Sequence, residues 1–181
     1  MTEDLQPTLE GETLRLRPIR PDDFDALYAV ARDPGIWALH PARDRWREPE
    51  FRRFFEKALE SGGALLIAER ATGRPIGSSR FYHEHSGPGE IVLGFTFLAR
   101  DHWGGETNRE LKRLMLAHAF TFAHTALFSV AESNLRSRRA MEKVGGRLTD
   151  RTFETPDQGR HVIYAITPED FAAGPLIRDV G

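Results

Sequence analysis

The chain has 181 residues, of which 40% are hydrophobic and 29% charged, with a formal net charge of −2 and no cysteine. That length suits one domain with a full core, and the balance argues against disorder. The missing cysteines exclude a disulfide framework, a cysteine nucleophile and a thiolate metal site, and the pI near 6.4 does not suit a nucleic-acid binder. No apolar run is long enough for a transmembrane helix, and the polar, acidic start from Met1 to Gln6 is unlike a signal peptide. A cytoplasmic protein without membrane contact is expected.

Residues 1–11 read as a loose leader. In Thr13-Leu14-Arg15-Leu16-Arg17 the leucines share one face, which predicts a strand with one wet side. Pro18 and Pro21 end it, and Pro21 suits the first turn of a helix carrying Phe24, Leu27, Tyr28 and Ala31 at helical spacing. Asp33-Pro34-Gly35 breaks that helix, and residues 36–47, with Trp37, His40 and Trp46, show no clear period. An amphipathic helix starts at Pro49 and stops at Gly62-Gly63. Ala64 to Glu69 and Ile76 to His83 predict a hairpin across the turn 71–75, and Ile91 to Leu98 is the longest strand signal. A helical pattern runs from Thr107 to about His124. Phe128 to Ala131 reads as a short strand, 135–144 as a short basic helix, and Leu148 to Phe153 with His161 to Ile166 as a terminal hairpin. The order β-α-α-β-β-β-α-β-α-β-β predicts a mixed α/β (α+β) fold with a largely antiparallel sheet, in one domain over 1–181 with its core at about 9–171.

Two stretches point to chemistry. The strand ending at Phe97-Leu98-Ala99 runs through Trp103-Gly104-Gly105 into a helix that opens with Glu106-Thr107-Asn108-Arg109. Glycines let the backbone approach a ligand, and free amides at a helix start favour an anion. A diphosphate fits there, with Arg109, Lys112 and Arg113 ready for further phosphates; a plain turn gives the same pattern. The spacing is neither a P-loop nor GxGxxG. The second stretch is Asn134-Leu135-Arg136-Ser137 through Glu142-Lys143-Val144-Gly145, where Asn134 either caps a helix or offers its amide to a ligand between strands, and the arginines read as a solvated basic face.

In this order and spacing the chain resembles the GNAT superfamily, and within it the ribosomal-protein alanine N-acetyltransferases RimJ and RimL, to which the opening Gly11-Glu12-Thr13-Leu14-Arg15-Leu16-Arg17-Pro18 and the closing Tyr164-Ala165-Ile166-Thr167-Pro168-Glu169-Asp170-Phe171 are also similar. The resemblance covers about residues 9–171. It implies a central sheet with a V-shaped split between two parallel strands, 91–98 and 127–132, flanked by helices, and acetyl-CoA as co-substrate without a metal. It further implies that backbone groups near Phe97, Leu98 and Ala99 hold the pantetheine, that Trp103, Gly104, Gly105, Glu106, Thr107, Asn108 and Arg109 surround the pyrophosphate, and that Asn134 faces the pantetheine arm. It implies too an amine acceptor, on a small molecule or a protein N-terminus, that attacks the thioester directly. The strand edges and terminal hairpin offer surfaces for a homodimer.

Two positions depart from the family pattern. Glu106 stands where a small residue is usual, and a carboxylate near a diphosphate repels unless it faces water. Met141 stands where many members carry a proton-donating tyrosine; Ser137 or water is the expected replacement. Glu90 is the expected general base, with His83, Glu84 and His85 as rivals. The alternatives are a catalytically weak GNAT-fold module that senses CoA and a nucleotide or phosphosugar binder that uses only the helix start.

Overall fold

The computed structural model describes residues 2–178, so the single domain expected over 1–181 extends past them at both ends. The strands are β1 (Leu9–Glu10), β2 (Leu14–Pro18), β3 (Ala64–Glu69), β4 (Pro75–Tyr82), β5 (Glu90–Leu98), β6 (Thr125–Ala131), β7 (Arg147–Thr155) and β8 (Gly159–Ile166). The helices are α1 (Phe24–Ala31), α2 (Pro34–Trp37), α3 (Glu48–Glu60), α4 (Thr107–Ala119), α5 (Leu135–Lys143), α6 (Pro168–Ala173) and α7 (Pro175–Arg178). All eight strands form one sheet in the order β1-β2-β3-β4-β5-β6-β8-β7, antiparallel except where β5 lies parallel to β6. The mixed, mostly antiparallel architecture expected from the sequence is the one observed.

Both faces of the sheet are covered, so central strands are buried on both sides and read as unbroken apolar runs. In β3, Leu65 and Ile67 join the layer formed with Leu111 and Met115 of α4. Ala64 and Leu66 join the opposite layer with Leu27 of α1 and Phe51 and Phe55 of α3. Helix α3 shows the spacing that permits this: Phe51, Phe54, Phe55 and Ala58 are all buried along one stripe. It ends where Gly62 takes φ +64.

Four local readings change. The supposed leader contributes β1, because Leu9 pairs with Leu16 and extends the sheet. Asp33-Pro34 stops α1 and also starts α2: the Asp33 carboxylate accepts the Gly35 N–H at 2.9 Å, and Pro34 suits the first turn. Helix α4 ends at Ala119, short of His124, where the Thr121 hydroxyl bonds the His118 carbonyl at 2.7 Å. Strand β6 begins at Thr125, ahead of Phe128, because its first residues pair with both β5 and β8.

Candidate active site

Strands β5 and β6 pair only over Glu90–Val92 and Thr125–Leu127, and beyond that they part. The cause is visible in β5. Ser78 pairs with Phe97 and Arg80 with Gly94, so Ser79 alone faces both Phe95 and Thr96: a bulge. Phe95 takes φ 51, a left-handed conformation that costs a non-glycine residue about 1–2 kcal/mol. The Ser79 hydroxyl braces the bulge with a 2.8 Å bond to the Thr96 hydroxyl. A bulge bends its strand, and this one turns β5 away from its parallel neighbour.

A cavity of about 210 Å³ occupies the gap, lined by residues of both helical layers: Lys112 and Met141 from one side, Trp37 and Arg45 from the other. It therefore runs through the sheet. Asn134 and Ser137 line it too; the Asn134 side chain also caps α5, accepting the Ser137 N–H at 3.2 Å. The two readings of Asn134 are thus compatible.

The other conspicuous feature is the entry to α4. Its first helical bond runs from the Glu110 N–H to the Glu106 carbonyl, which leaves the preceding amides without an intrahelical acceptor. Gly104 takes φ +72, and a side chain added at Gly104 or Gly105 would meet only open space. The Glu106 side chain is 87% exposed and paired with Arg109 at 3.1 Å, so the misplaced carboxylate faces water. Trp103 gives its indole N–H to the Leu98 carbonyl at 2.9 Å, and the Arg136 guanidinium lies 4.1 Å from the Trp103 ring. The Ala99 N–H bonds Ile76 of β4, so that donor faces away from the gap. Phe97 packs its ring against Trp37, Phe51 and Phe54.

The basic residues of α4 separate. Arg113 lies 3.8 Å from Glu12, and Arg109 also bonds the Pro175 carbonyl. Lys112, expected to face phosphates, instead points inward: it is 3% exposed, its ammonium 3.2 Å from the Thr96 hydroxyl and 5.2 Å from the Phe128 ring. Burial brings its amine down to about 8. Glu110, by contrast, is structural: its carboxylate accepts the Thr13 N–H and hydroxyl and the Leu14 N–H, tying α4 to β2.

Glu90 lies at the closed end of the gap and does not line the cavity. Both its oxygens bond Arg151 at 3.0 Å, and one accepts the Gly87 N–H at 2.7 Å. Burial pushes its carboxyl up, but the Gly87 amide and Arg151 outweigh that and hold it below its ordinary value. Four residues of strand, roughly 13 Å, separate it from the bulge. Of its rivals, His83 bonds Glu3 at 2.8 Å, whereas Glu84 and His85 line the cavity. A histidine not singled out in the sequence lines the cavity as well. His161 is 7% exposed, lines the cavity, and bonds the Gly159 carbonyl through Nδ1 at 3.1 Å. That bond assigns the proton to Nδ1 and leaves Nε2 an acceptor. His40 also lines the cavity, but burial, Arg45 and Arg136 bring it down to about 3, too weak a base to serve.

A family model described as an acetyltransferase (GNAT) domain matches residues 13–147, more than half of the chain. The chain belongs to the GNAT acetyltransferase family. No curated protein matches its sequence. Among solved structures, a GCN5-related N-acetyltransferase from Brucella melitensis superposes with a TM-score of 0.79 at 18% identity, over 93% of this chain and 81% of the other. RimJ from Mycobacterium smegmatis, in complex with CoA-disulfide, gives 0.66 at 20% identity, over 87% and 83%. Aminoglycoside acetyltransferase AAC(6')-Ib, in complex with coenzyme A and kanamycin, gives 0.68 at 22%, over 89% and 98%. At these identities the likeness is one of fold. Among the described residues of this GNAT chain, no helix is long and apolar enough to cross a membrane.

Proposed function

We propose that this chain moves an acetyl group from acetyl-CoA to an amine by direct attack, within a single GNAT domain. The observation that carries the reading is the cavity through the sheet at the parting of β5 and β6. Trp103, Gly104, Gly105, Glu106, Thr107, Asn108 and Arg109 suit a pyrophosphate, since the turn is roomy and Glu106 faces water. Phe97 and Leu98 on one side, with Asn134 and Ser137 on the other, suit the pantetheine arm. The Leu98 amide is the proposed donor to the thioester oxygen.

Proton transfers fall to residues that line the cavity. As the amine nitrogen bonds the acetyl carbon and the carbon–sulfur bond breaks, Lys112 gives a proton from Nζ to the departing sulfur, the role that Met141 cannot fill. The surplus proton of the amine goes to His161 Nε2 or to water, and solvent later reloads Lys112. Glu90 can act only through a chain of waters. The sensor reading rests on Glu106 and Met141; against it, Glu106 faces water and Lys112 lines the same cavity as Met141. The acceptor is a small amine or, given the RimJ/RimL-like opening and closing segments, a protein N-terminus. A second copy would pair on edge strand β7, where Leu148 is 52% exposed.

Calorimetric titration with acetyl-CoA, CoA and ADP tests this first. Acetyl-CoA and CoA are expected to bind about tenfold or more tighter than ADP, a difference of about 1.4 kcal/mol. Equal affinity for ADP and CoA would make the chain a nucleotide binder, and no binding of either would end the acetyltransferase reading.

A further inference from the structure

The acceptor half of the cavity holds positive charge that the protein itself leaves unneutralised. Arg45, on the segment between α2 and α3, lines the cavity with its guanidinium 4.5 Å from the Phe54 ring and 5.2 Å from the Trp37 ring. Arg80, on β4, is 7% exposed; its guanidinium lies 4.2 Å from the Phe95 ring and 5.8 Å from the other side of the pair, Phe54. Its Nε is buried without a hydrogen-bond partner. Among the described residues no carboxylate bonds either arginine: Glu50 and Glu84 act on them only at longer range. Glu50 is taken by Arg53 at 2.5 Å, and the Glu84 side chain is 70% exposed beside His85. The arginines also repel each other, and burial followed by that repulsion brings Arg45 down to about 10, where it is still charged at neutral pH.

A buried guanidinium without a counter-ion costs more than ring faces return. Arg80 is such a group, and with the half-buried Arg45 near the same Phe54 ring it forms an arrangement that an arriving anion completes. Arginine matches a carboxylate in a planar, two-bond geometry. Glu84 is the one carboxylate lining the cavity among the described residues, and it is largely exposed and bonds neither guanidinium. The same positive surroundings disfavour an ammonium and favour the neutral amine that attack requires.

We propose that the acceptor amine carries a carboxylate, which Arg45 receives with Arg80 behind it. This rests on the acetyl-transfer reading of the same cavity. The carboxylate is either the terminus of a free amino acid or an acidic side chain close behind a peptide N-terminus.

The test compares acceptors that differ only in that group: alanine and glutamate against their amides, and the peptide amides Ala-Glu-NH₂ against Ala-Gln-NH₂. Binding to the CoA-loaded protein is measured by calorimetry, and acetylation by thiol release. The wild type is expected to favour the carboxylate member of at least one pair by about tenfold or more. Preference within the free amino acids alone identifies a small-molecule acceptor, and preference within the peptides alone a protein N-terminus. Arg45→Gln is expected to abolish the preference while leaving CoA affinity unchanged; a purely structural arginine would lower both members equally. Equal binding of acids and amides by the wild type overturns the proposal, and that comparison needs no variant. Carboxylate preference in binding without any acetylation would uphold the anion site and overturn the acetyl-transfer reading instead.

Discussion

The two ends of the gap between β5 and β6 settle their charges in opposite ways. At the closed end Glu90 meets Arg151 through both oxygens, and Arg151 also bonds the His85 carbonyl at 2.7 Å. Every strong group there is answered by another part of the chain. At the open end Lys112 has one hydroxyl for company, and Arg45 and Arg80 have ring faces. Paired charge is what a fold needs to close a sheet. Buried charge without a partner destabilises the empty protein, and its retention points to a ligand that completes it. In the proposed mechanism the contrast favours, over the carboxylate that looked catalytic in the sequence, cations that looked like phosphate contacts or unpatterned loop.

The largest effect expected from breaking this contrast is at Lys112. Lys112→Met keeps most of the length of the side chain, one atom short, and removes its proton. With acceptor and acetyl-CoA saturating, kcat is expected to fall by about 100-fold, the usual worth of a positioned acid. Stability is expected to move the other way. Burial brings the amine down to about 8 from its ordinary 10.5, so removing the charge is expected to gain up to roughly 3 kcal/mol at neutral pH. A variant that loses both rate and stability would mark Lys112 as a structural residue; unchanged rate would remove it as the acid.

The same residue gives a pH signature. Because the fold holds the Lys112 proton less tightly than the unfolded chain does, the penalty is full below the folded value, about 8, and fades as pH rises toward 10.5. Wild-type stability should therefore climb relative to Lys112→Met across that window, and the advantage of the methionine should shrink to nothing. Urea denaturation of both proteins between about pH 7 and 10 measures the difference directly, since other groups titrate equally in the two. A gap that stays constant with pH would mean that the fold holds the Lys112 proton as tightly as the unfolded chain does.

How far these residues were legible in the sequence depends on what places them. The strand-to-glycine-to-helix junction and Asn134 are local patterns, and helix and turn chemistry make them readable. The bulge is not local: it exists because Ser79 on one strand meets Phe95 and Thr96 on the next, and no periodicity within β5 encodes that. Lys112 is one of three basic residues in a row of turns, and only the packing of α4 on the parted strands separates it from exposed neighbours. Arg45 lies in the segment without a period, so its burial follows from Trp37 and Phe54 in flanking helices. His161 read as one residue of an edge hairpin, although β8 lies inside the sheet between β6 and β7.

At the closed end the expected effect is smaller and of the other kind. Glu90→Gln should cost about 1 kcal/mol of stability, the worth of a partly exposed ion pair with one backbone bond, and change kcat by no more than about twofold. The fold lowers the Glu90 carboxyl, so its contribution is present above the ordinary carboxylate range and lost as pH falls through it. The deficit of Glu90→Gln should thus vanish on acidification. A large loss of kcat with stability intact would instead return Glu90 to the role of base.

The smallest effect sharpens the comparison at the entry to α4, where a carboxylate stands beside the proposed pyrophosphate site. If exposure decides, Glu106 should matter little: its charge is 87% exposed, answered by Arg109, and screened over about 8–10 Å at physiological salt. Glu106→Gln is expected to tighten CoA by less than about threefold at low salt and not at all at high salt, while losing a few tenths of a kcal/mol because an acidic group at a helix start is favourable. The two small effects oppose each other, so calorimetry and melting must be read together. A gain of tenfold or more that persists in salt would mean that the carboxylate turns toward the phosphates when CoA binds, and that burial in the free protein is a poor guide to which charges this site leaves unanswered.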